Sequence, residues 1–66
     1  MSVAKVIEVS ARSPESFEDA AKIGVERASE TVDNIQGVWI KEMKADVKDG
    51  KLAAYRVDMK VTFVLN

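Results

Sequence analysis

The sequence contains no cysteine and no histidine. Without cysteine there is no disulfide, no thiolate nucleophile and no zinc–thiolate site. Without histidine the commonest general base and the commonest metal-ligating side chain are both missing. Catalysis would have to depend on carboxylates, lysine, arginine or Tyr55, and no constellation of these groups stands out along the chain. We therefore predict that the protein is not an enzyme.

Long apolar runs and an excess of positive charge are missing as well. No apolar stretch approaches the roughly 20 residues that span a bilayer. Residues 1–9 carry Lys5 and Glu8 within a short apolar run, so they are not expected to form a signal peptide. A net charge of −1 argues against a nucleic-acid partner, which would normally require a basic face. These features predict a cytoplasmic protein with neither a membrane nor a nucleic acid among its partners.

The length of 66 residues allows one domain, which we place at residues 1–66. The content of 47% apolar and 32% charged residues is that of a folded globular chain. A chain this short usually needs a disulfide, a metal or oligomerisation for stability. The first is excluded and the second is poorly supplied, so self-association is predicted.

The first half of the sequence predicts a strand followed by a helix. Residues 4–10 are short and rich in β-branched side chains, as in a strand. Ser13 is suited to cap a helix, Pro14 to its first position and Glu15 to the positive end of its dipole. The apolar residues that follow have the spacing of a one-sided helix over residues 14–32: Phe17, Ala20, Ala21, Gly24, Ala28 and Val32.

The second half predicts a hairpin of two long strands, residues 38–47 and 52–65. Asp49-Gly50 lies between them and is the sequence preferred in a two-residue type I′ turn. Pairing then starts with Lys48 opposite Lys51 and continues without interruption. On the helix side this register places Val38 opposite Val61 and Ile40 opposite Met59. On the other side it predicts the pairs Trp39–Lys60, Lys41–Asp58 and Met43–Arg56.

The predicted hairpin is longer than the predicted helix. Its second strand of about 14 residues extends roughly 45 Å at ~3.3 Å per residue. A helix of about 19 residues covers only about 28 Å. The turn end, around Val47, Leu52 and Tyr55, therefore needs another surface to cover it, and a second copy of the chain is the simplest one.

The sheet face away from the helix carries Trp39, the single tryptophan of the chain, near Lys60 and Arg56. Three uses remain open for this face. An indole beside cations can stack a planar ligand and hold its anionic group. Tryptophan and arginine are also enriched in subunit interfaces. The third possibility is an ordinary solvated sheet surface.

Three segments of the sequence resemble the dodecin family, and the β-α-β-β order and the length resemble it too. The segments are Ser13-Pro14-Glu15-Ser16-Phe17, Arg27-Ala28-Ser29-Glu30-Thr31-Val32-Asp33-Asn34 and Lys60-Val61-Thr62-Phe63-Val64-Leu65. The resemblance implies an α+β fold in which a three-stranded antiparallel sheet, in strand order 1-3-2, wraps around one helix. It further implies twelve subunits in a hollow shell that stores or sequesters a flavin without catalysis.

The sequence departs from the family at the flavin site. In flavin-binding dodecins a tryptophan at the start of the second strand stacks on the isoalloxazine, and a glutamine on the third strand bonds its edge. An alignment without gaps places Gly37 and Arg56 at these positions, with Trp39 about 7 Å further along the same face. The resemblance thus implies a ligand site at Gly37, Trp39 and Arg56, with FMN, riboflavin or FAD as the candidate flavins.

An ion-binding or purely structural assembly is the alternative interpretation. Without the stacking tryptophan, the resemblance implies that another ligand or an ion could be held in place of the flavin. Carboxylates are the ligands that a hard cation such as calcium prefers, and the candidates here are Glu42, Asp46 and Asp58.

Overall fold

The computed structural model describes residues 3–65, which form one helix and one three-stranded sheet. The elements are β1 (Val3–Ser13), α1 (Phe17–Ala28), β2 (Ile35–Lys48) and β3 (Lys51–Leu65). Both strand pairs are antiparallel and the strand order is β1-β3-β2, which confirms the predicted α+β fold and topology. The folded chain is elongated, with extents of 52 × 19 × 13 Å. Within residues 3–65 no helix has both the length and the apolar character needed to cross a membrane.

The helix begins three residues later than predicted, because Ser16 and not Ser13 is its N-cap. Ser16 has an extended backbone, and its hydroxyl accepts a hydrogen bond from the Asp19 amide at 2.9 Å. Ser13 instead pairs with Tyr55 as the last residue of β1. Its hydroxyl donates to the Asp19 carboxylate at 2.5 Å and accepts from the Glu15 amide at 3.0 Å. The assignment of Ser13 as the cap was wrong, since strand pairing holds it in an extended conformation.

The helix also ends earlier than predicted, at Ala28 and not at Val32. Ser29 is the C-cap, and the chain then continues in single turns such as the hydrogen bond from the Val32 amide to the Ala28 carbonyl at 3.0 Å. Asn34 adopts a left-handed conformation with φ 62°, which directs the chain into β2. Thr31 and Val32 are β-branched and lose side-chain freedom in a helix, which favours this early end.

The hairpin turn is the one predicted from Asp49-Gly50. Lys48 pairs with Lys51, and the two loop residues have φ values of 52° and 75°. Positive φ at both positions is the requirement of a type I′ turn. The pairs Val38–Val61, Trp39–Lys60 and Ile40–Met59 are confirmed too.

Between the turn pair Lys48–Lys51 and the pair Ile40–Met59, the register of the hairpin shifts by one residue and then shifts back. Irregularities lie between Asp46 and Val47 and between Ile40 and Glu42, where Ala53 and Lys41 are the respective extra residues. Such β-bulges change which side chains share a face. The predicted pairs Lys41–Asp58 and Met43–Arg56 are therefore wrong, and the pairs found in their place are Glu42–Asp58, Met43–Val57 and Lys44–Arg56.

The core lies between α1 and the two strands that it covers, β1 and β3. The buried apolar residues are Ala20 on the helix and Ala54, Val57, Met59 and Val61 on β3. Phe17 packs against this cluster, and its ring meets that of Tyr55 edge to face, with centroids 5.0 Å apart at 76°. The predicted orientation of the apolar side of the helix is thus confirmed. Val38 and Ile40 were expected beneath the helix, but β2 lies beyond its edge and they remain 37% and 39% exposed.

Candidate functional site

The outer face of the sheet, which we define as the face opposite α1, carries its polar residues in rows that run across all three strands. Each row has one member from β1, one from β3 and one from β2, in register. The cationic row is Arg12, Arg56 and Lys44; the acidic row is Ser10, Asp58 and Glu42; the tryptophan row is Glu8, Lys60 and Trp39; the glycine row is Val6, Thr62 and Gly37. Neighbouring rows are about 7 Å apart, the rise of two strand residues.

Of the large apolar side chains that the structure describes, that of Trp39 is the most exposed, at 67%. The ammonium group of Lys60, its partner in the register, lies 5.3 Å from the centroid of the indole ring. This is a cation–π contact, in which the positive charge lies over one face of the indole ring. Glu8 at the other end of the row is engaged by Lys41, with 3.3 Å between Nζ and Oε1. The tryptophan row therefore presents an accessible indole with a cation over one of its faces.

Gly37 lies on the same face as Trp39, one row further along. A Cβ atom placed on Gly37 would meet no atom within 4 Å, so the space beside the indole is open. The backbone of Gly37 does not have the positive φ that would require glycine. The structure thus places Gly37 and Trp39 in neighbouring rows of one face, as the sequence predicted. The space above Gly37 is open.

Arg56, the third predicted site residue, is also on the outer face but lies in the cationic row. It is four positions from Lys60 along β3, or roughly 13 Å at ~3.3 Å per residue. Its guanidinium group lies 3.7 Å from Asp46 and its side chain is 46% exposed. Within one subunit Arg56 is therefore separated from the indole by the acidic row.

The carboxylates considered for a cation are not gathered in one place. Asp58 accepts a hydrogen bond from the Ser10 hydroxyl, and Asp46 is paired with Arg12 and Arg56. Glu42 lies opposite Asp58 in the register. Over residues 3–65 no three acidic side chains are arranged so that one metal ion could be held. A calcium site built from these residues would need further oxygen ligands beyond these carboxylates.

Two concave regions adjoin the outer face and the helix. One has a volume of about 290 Å³ and lies at the Lys41 bulge, between the side chains of Glu8, Ser10, Lys41 and Asp58. The other has a volume of about 470 Å³ and follows the junction of α1 with β1, where Ile7, Ala11, Ile23 and Ala28 give it an apolar wall. Neither was predicted, because the first depends on a bulge and the second on the exact seating of the helix.

An apolar stripe on β2 remains uncovered on the helix side of the sheet. Because α1 packs on β1 and β3, the side chains beyond them stay exposed. We call these residues the β2 stripe: Val38, Ile40, Met43 and Val47, with Leu52 opposite Val47, at exposures of 37%, 39%, 56%, 66% and 56%. The Lys41 bulge brings the two halves of the stripe onto one side. Exposure of Val47 and Leu52 agrees with the expected overhang, whereas Tyr55 is covered by Phe17.

Two cations of the outer face, Arg12 and Lys44, were not singled out from the sequence. Arg12 was missed because β1 was predicted to end at Ser10, whereas it continues to Ser13. The alternation of Glu8, Ser10 and Arg12 with apolar residues was the available signal. Lys44 was missed because strict alternation places Met43 on the outer face in its stead, and a bulge leaves no mark in an alternating pattern.

Known proteins with this fold are similar to this chain in sequence over nearly its whole length. The sequence model of the dodecin family matches residues 3–66. The calcium dodecin of Mycobacterium tuberculosis is 38% identical over 63 residues, which are 96% of this chain and 89% of that protein. Its crystal structure, described as that of a calcium-chelating antigen with a novel calcium-binding site, has a TM-score of 0.84 at 34% identity, over 97% of this chain and 91% of that one.

The fold of the chain also agrees with those of other solved structures. The dodecin of Streptomyces davaonensis has a TM-score of 0.93 at 32% identity and covers 98% of this chain and 96% of its own. A Thermus thermophilus protein has a TM-score of 0.95 at 26% identity, over 100% of this chain and 97% of that one. With the family model matching almost the entire sequence, the chain belongs to the dodecin family.

Proposed function

We propose that the protein is a non-enzymatic homo-oligomer, a hollow shell of twelve copies, that stores or sequesters a small planar ligand such as a flavin. The observation that carries this proposal is the tryptophan row. It offers a 67% exposed indole, a lysine ammonium 5.3 Å from the ring centroid and open space at Gly37. A planar anionic or electron-poor ring is the kind of ligand that such a surface favours.

Self-association is supported by the balance of buried and exposed apolar residues. Among residues 3–65, five apolar residues are buried in the chain, and ten large ones are exposed. Five of the exposed residues form the β2 stripe, and contiguous apolar surface of this kind marks an interaction site in a stable protein. Because β2 is an edge strand of the sheet, its outer backbone groups are unpaired within the chain. A second copy can therefore cover the β2 stripe and, at the same time, form hydrogen bonds with this free edge. Twelve is the number of subunits that the family resemblance implies.

Ligand storage without catalysis is supported by the chemistry of the outer face. The side chains near the indole are mostly engaged with one another: Lys41 with Glu8, and Ser10 with Asp58. The sequence has no histidine or cysteine to act as a base or nucleophile. Stacking and charge complementarity are what remain for this surface to supply.

Calcium binding is the second candidate, and the name of the Mycobacterium tuberculosis relative favours it. That protein is called calcium dodecin and is 38% identical to this chain. Glu42 and Asp58, side by side in the acidic row, are the carboxylates that a second copy could complete into an oxygen-ligand site. On this alternative the assembly would hold calcium and leave Trp39 free.

One titration separates the two candidates. Trp39 is the only tryptophan, so its fluorescence reports directly on the proposed site. We expect added riboflavin or FMN to quench this fluorescence with a micromolar dissociation constant and calcium to leave it unchanged. A Trp39→Leu variant should lose flavin binding measured by calorimetry while keeping its oligomeric mass. Calorimetric heat from calcium alone, with no flavin response, would replace the flavin proposal with the calcium one.

A further inference from the structure

The tip of the hairpin holds the single position of the sequence at which an aspartate or asparagine precedes a glycine, Asp49-Gly50. An aspartate carboxyl group can react with the backbone nitrogen of the next residue, because the product is a five-membered succinimide ring. A side chain on that next residue would crowd the nitrogen, and glycine has none. Asp49 and Gly50 are both exposed, so water reaches the reacting groups. The local sequence at the tip therefore favours succinimide chemistry.

The folded turn holds these reacting groups apart. Ring closure requires the Cβ atom of Asp49 and the nitrogen of Gly50 to be eclipsed about the Cα–C bond of Asp49. A type I′ turn has a ψ of about +30° at its first loop residue, which turns the nitrogen almost directly away from Cβ. The φ values of 52° and 75° at the two loop residues are those of this turn. Ring closure thus needs a rotation of the peptide between them, and that rotation opens the turn.

Two residue pairs hold the tip closed before the ladder of strand pairs is interrupted. They are Lys48–Lys51 and Val47–Leu52, and the bulge at Ala53 follows them. Like charges directly opposite each other destabilise a strand pair, and both lysines are exposed. Val47 and Leu52 are 66% and 56% exposed, so little apolar burial within the chain opposes their separation. A segment with so few buried contacts opens locally at a low cost in free energy.

We propose that Asp49 is a site of isomerisation to isoaspartate, whose reaction is blocked in the folded turn and proceeds whenever the hairpin tip opens. In the first step the nitrogen of Gly50 bonds to Cγ of Asp49, and a carboxyl oxygen leaves as water with the carboxyl and amide protons. In the second step water adds to the α-carbonyl carbon of the ring, the bond from that carbon to the nitrogen breaks, and the nitrogen takes up a proton. One water leaves and one enters, so the mass is unchanged and nothing is oxidised or reduced.

The product changes the loop permanently. Isoaspartate takes its Cβ atom into the main chain and leaves its α-carboxylate free, so the loop gains one backbone atom. The type I′ turn joins two ordinary residues with positive φ, and the modified loop no longer has that geometry. The pair Lys48–Lys51 then does not re-form in the same register. Each modified chain therefore keeps a record that its hairpin tip has opened.

The test follows isoaspartate at position 49 in the native protein, in the same protein unfolded in guanidinium chloride, and in two tip variants. Isoaspartyl methyltransferase adds a labelled methyl group to the β-linked product, and electron-transfer fragmentation locates that product. We expect the unfolded protein to react at least about tenfold faster than the native one. Lys51→Glu places opposite charges across the tip and should slow the native reaction about two- to fivefold. Leu52→Gly should accelerate it, because glycine weakens a strand.

Each variant's native rate is divided by its own rate in the unfolded state, which removes effects of the local sequence on the chemistry. Lys22→Glu, an exposed change of the same charge on α1, is the matched control and should react as the wild type does. Damage to the fold would speed the reaction, so a slower Lys51→Glu variant cannot be explained by misfolding. Equal native and unfolded rates in the wild type, or tip variants that match it, overturn the gating by the turn. Absence of isoaspartate from the unfolded protein overturns the site itself.

Discussion

Gly24 of the helix packs directly against Met59 of the central strand, with no room for a Cβ atom between them. A Cβ atom built on Gly24 would overlap the methionine Cε and would stand 3.0 Å from the Cβ of Ala11. Met59 is only 1% exposed, so its side chain has little space into which it could move. The helix can lie this close to β1 and β3 because Gly24 has no side chain.

We therefore expect Gly24→Ala to lower the free energy of unfolding by about 1–3 kcal/mol, the usual cost of overpacking a core. The gain in helix propensity, up to about 1 kcal/mol, offsets only part of this loss. Gly37→Ala is the control, because its added methyl group enters open space. Urea denaturation followed by circular dichroism measures both. A stabilised Gly24→Ala variant would show that the helix is not seated this closely.

Phe17→Ala should destabilise the subunit by about 3 kcal/mol, at the lower end of the range for aromatic deletions because the ring is only partly buried. The variant loses the edge-to-face contact with Tyr55 as well as the packing on the core cluster. Tyr55→Phe keeps that contact and serves as the control. The same denaturation experiment applies, and a change below about 0.5 kcal/mol would place Phe17 among ordinary surface residues.

Met43→Asp should prevent assembly, since it places a charge in the middle of the β2 stripe, where Met43 is 56% exposed. Burying an unpaired carboxylate in an interface is costly, whereas the isolated subunit leaves that position in solvent. Met43→Leu is the matched control and should assemble normally. Light scattering coupled to size exclusion gives the mass of each. If Met43→Asp keeps the wild-type mass, the β2 stripe is not the assembly surface.

Gly37→Trp should tighten flavin binding, because it places a second indole in the open space beside Trp39. An additional stacking contact is worth on the order of 0.5–1.5 kcal/mol, or about two- to tenfold in affinity. Gly37→Leu adds apolar surface without an aromatic ring and should gain less. Isothermal titration with riboflavin compares the three proteins. If the tryptophan variant gains nothing over the leucine variant, Gly37 does not border the stacking site.

Local signals in the sequence were enough for the elements that depend on local physics. Asp49-Gly50 predicted its turn because positive φ at two successive residues is a demand that few sequences meet. The apolar spacing from Phe17 to Ala28 predicted the helix and its buried side, because a one-sided apolar stripe with a helical period is itself a local pattern. The helix start was ambiguous, because Ser13 and Ser16 are both good caps and only the pairing of Ser13 with Tyr55 decides between them.

The candidate site was predicted less completely, because its geometry depends on non-local pairing. The bulges at Lys41 and Ala53 change the faces of the residues between them, and alternation of side chains cannot reveal an extra residue. Trp39 and Gly37 lie outside that interval and were placed on the correct face. Lys44 lies inside it, and its alignment with Arg12 and Arg56 became visible only in the three-strand register.

The pairing of β1 with β3 brings the most distant described residues together, with Val3 opposite Leu65. The hairpin of β2 and β3 closes through a two-residue loop and can form within microseconds of its synthesis. The partners of β1, in contrast, are synthesised after β1, α1 and β2, so β1 and α1 must wait without their sheet until β3 is available. We therefore expect folding to start from the C-terminal hairpin and to end with docking of the N-terminal strand, an order opposite to that of synthesis on the ribosome.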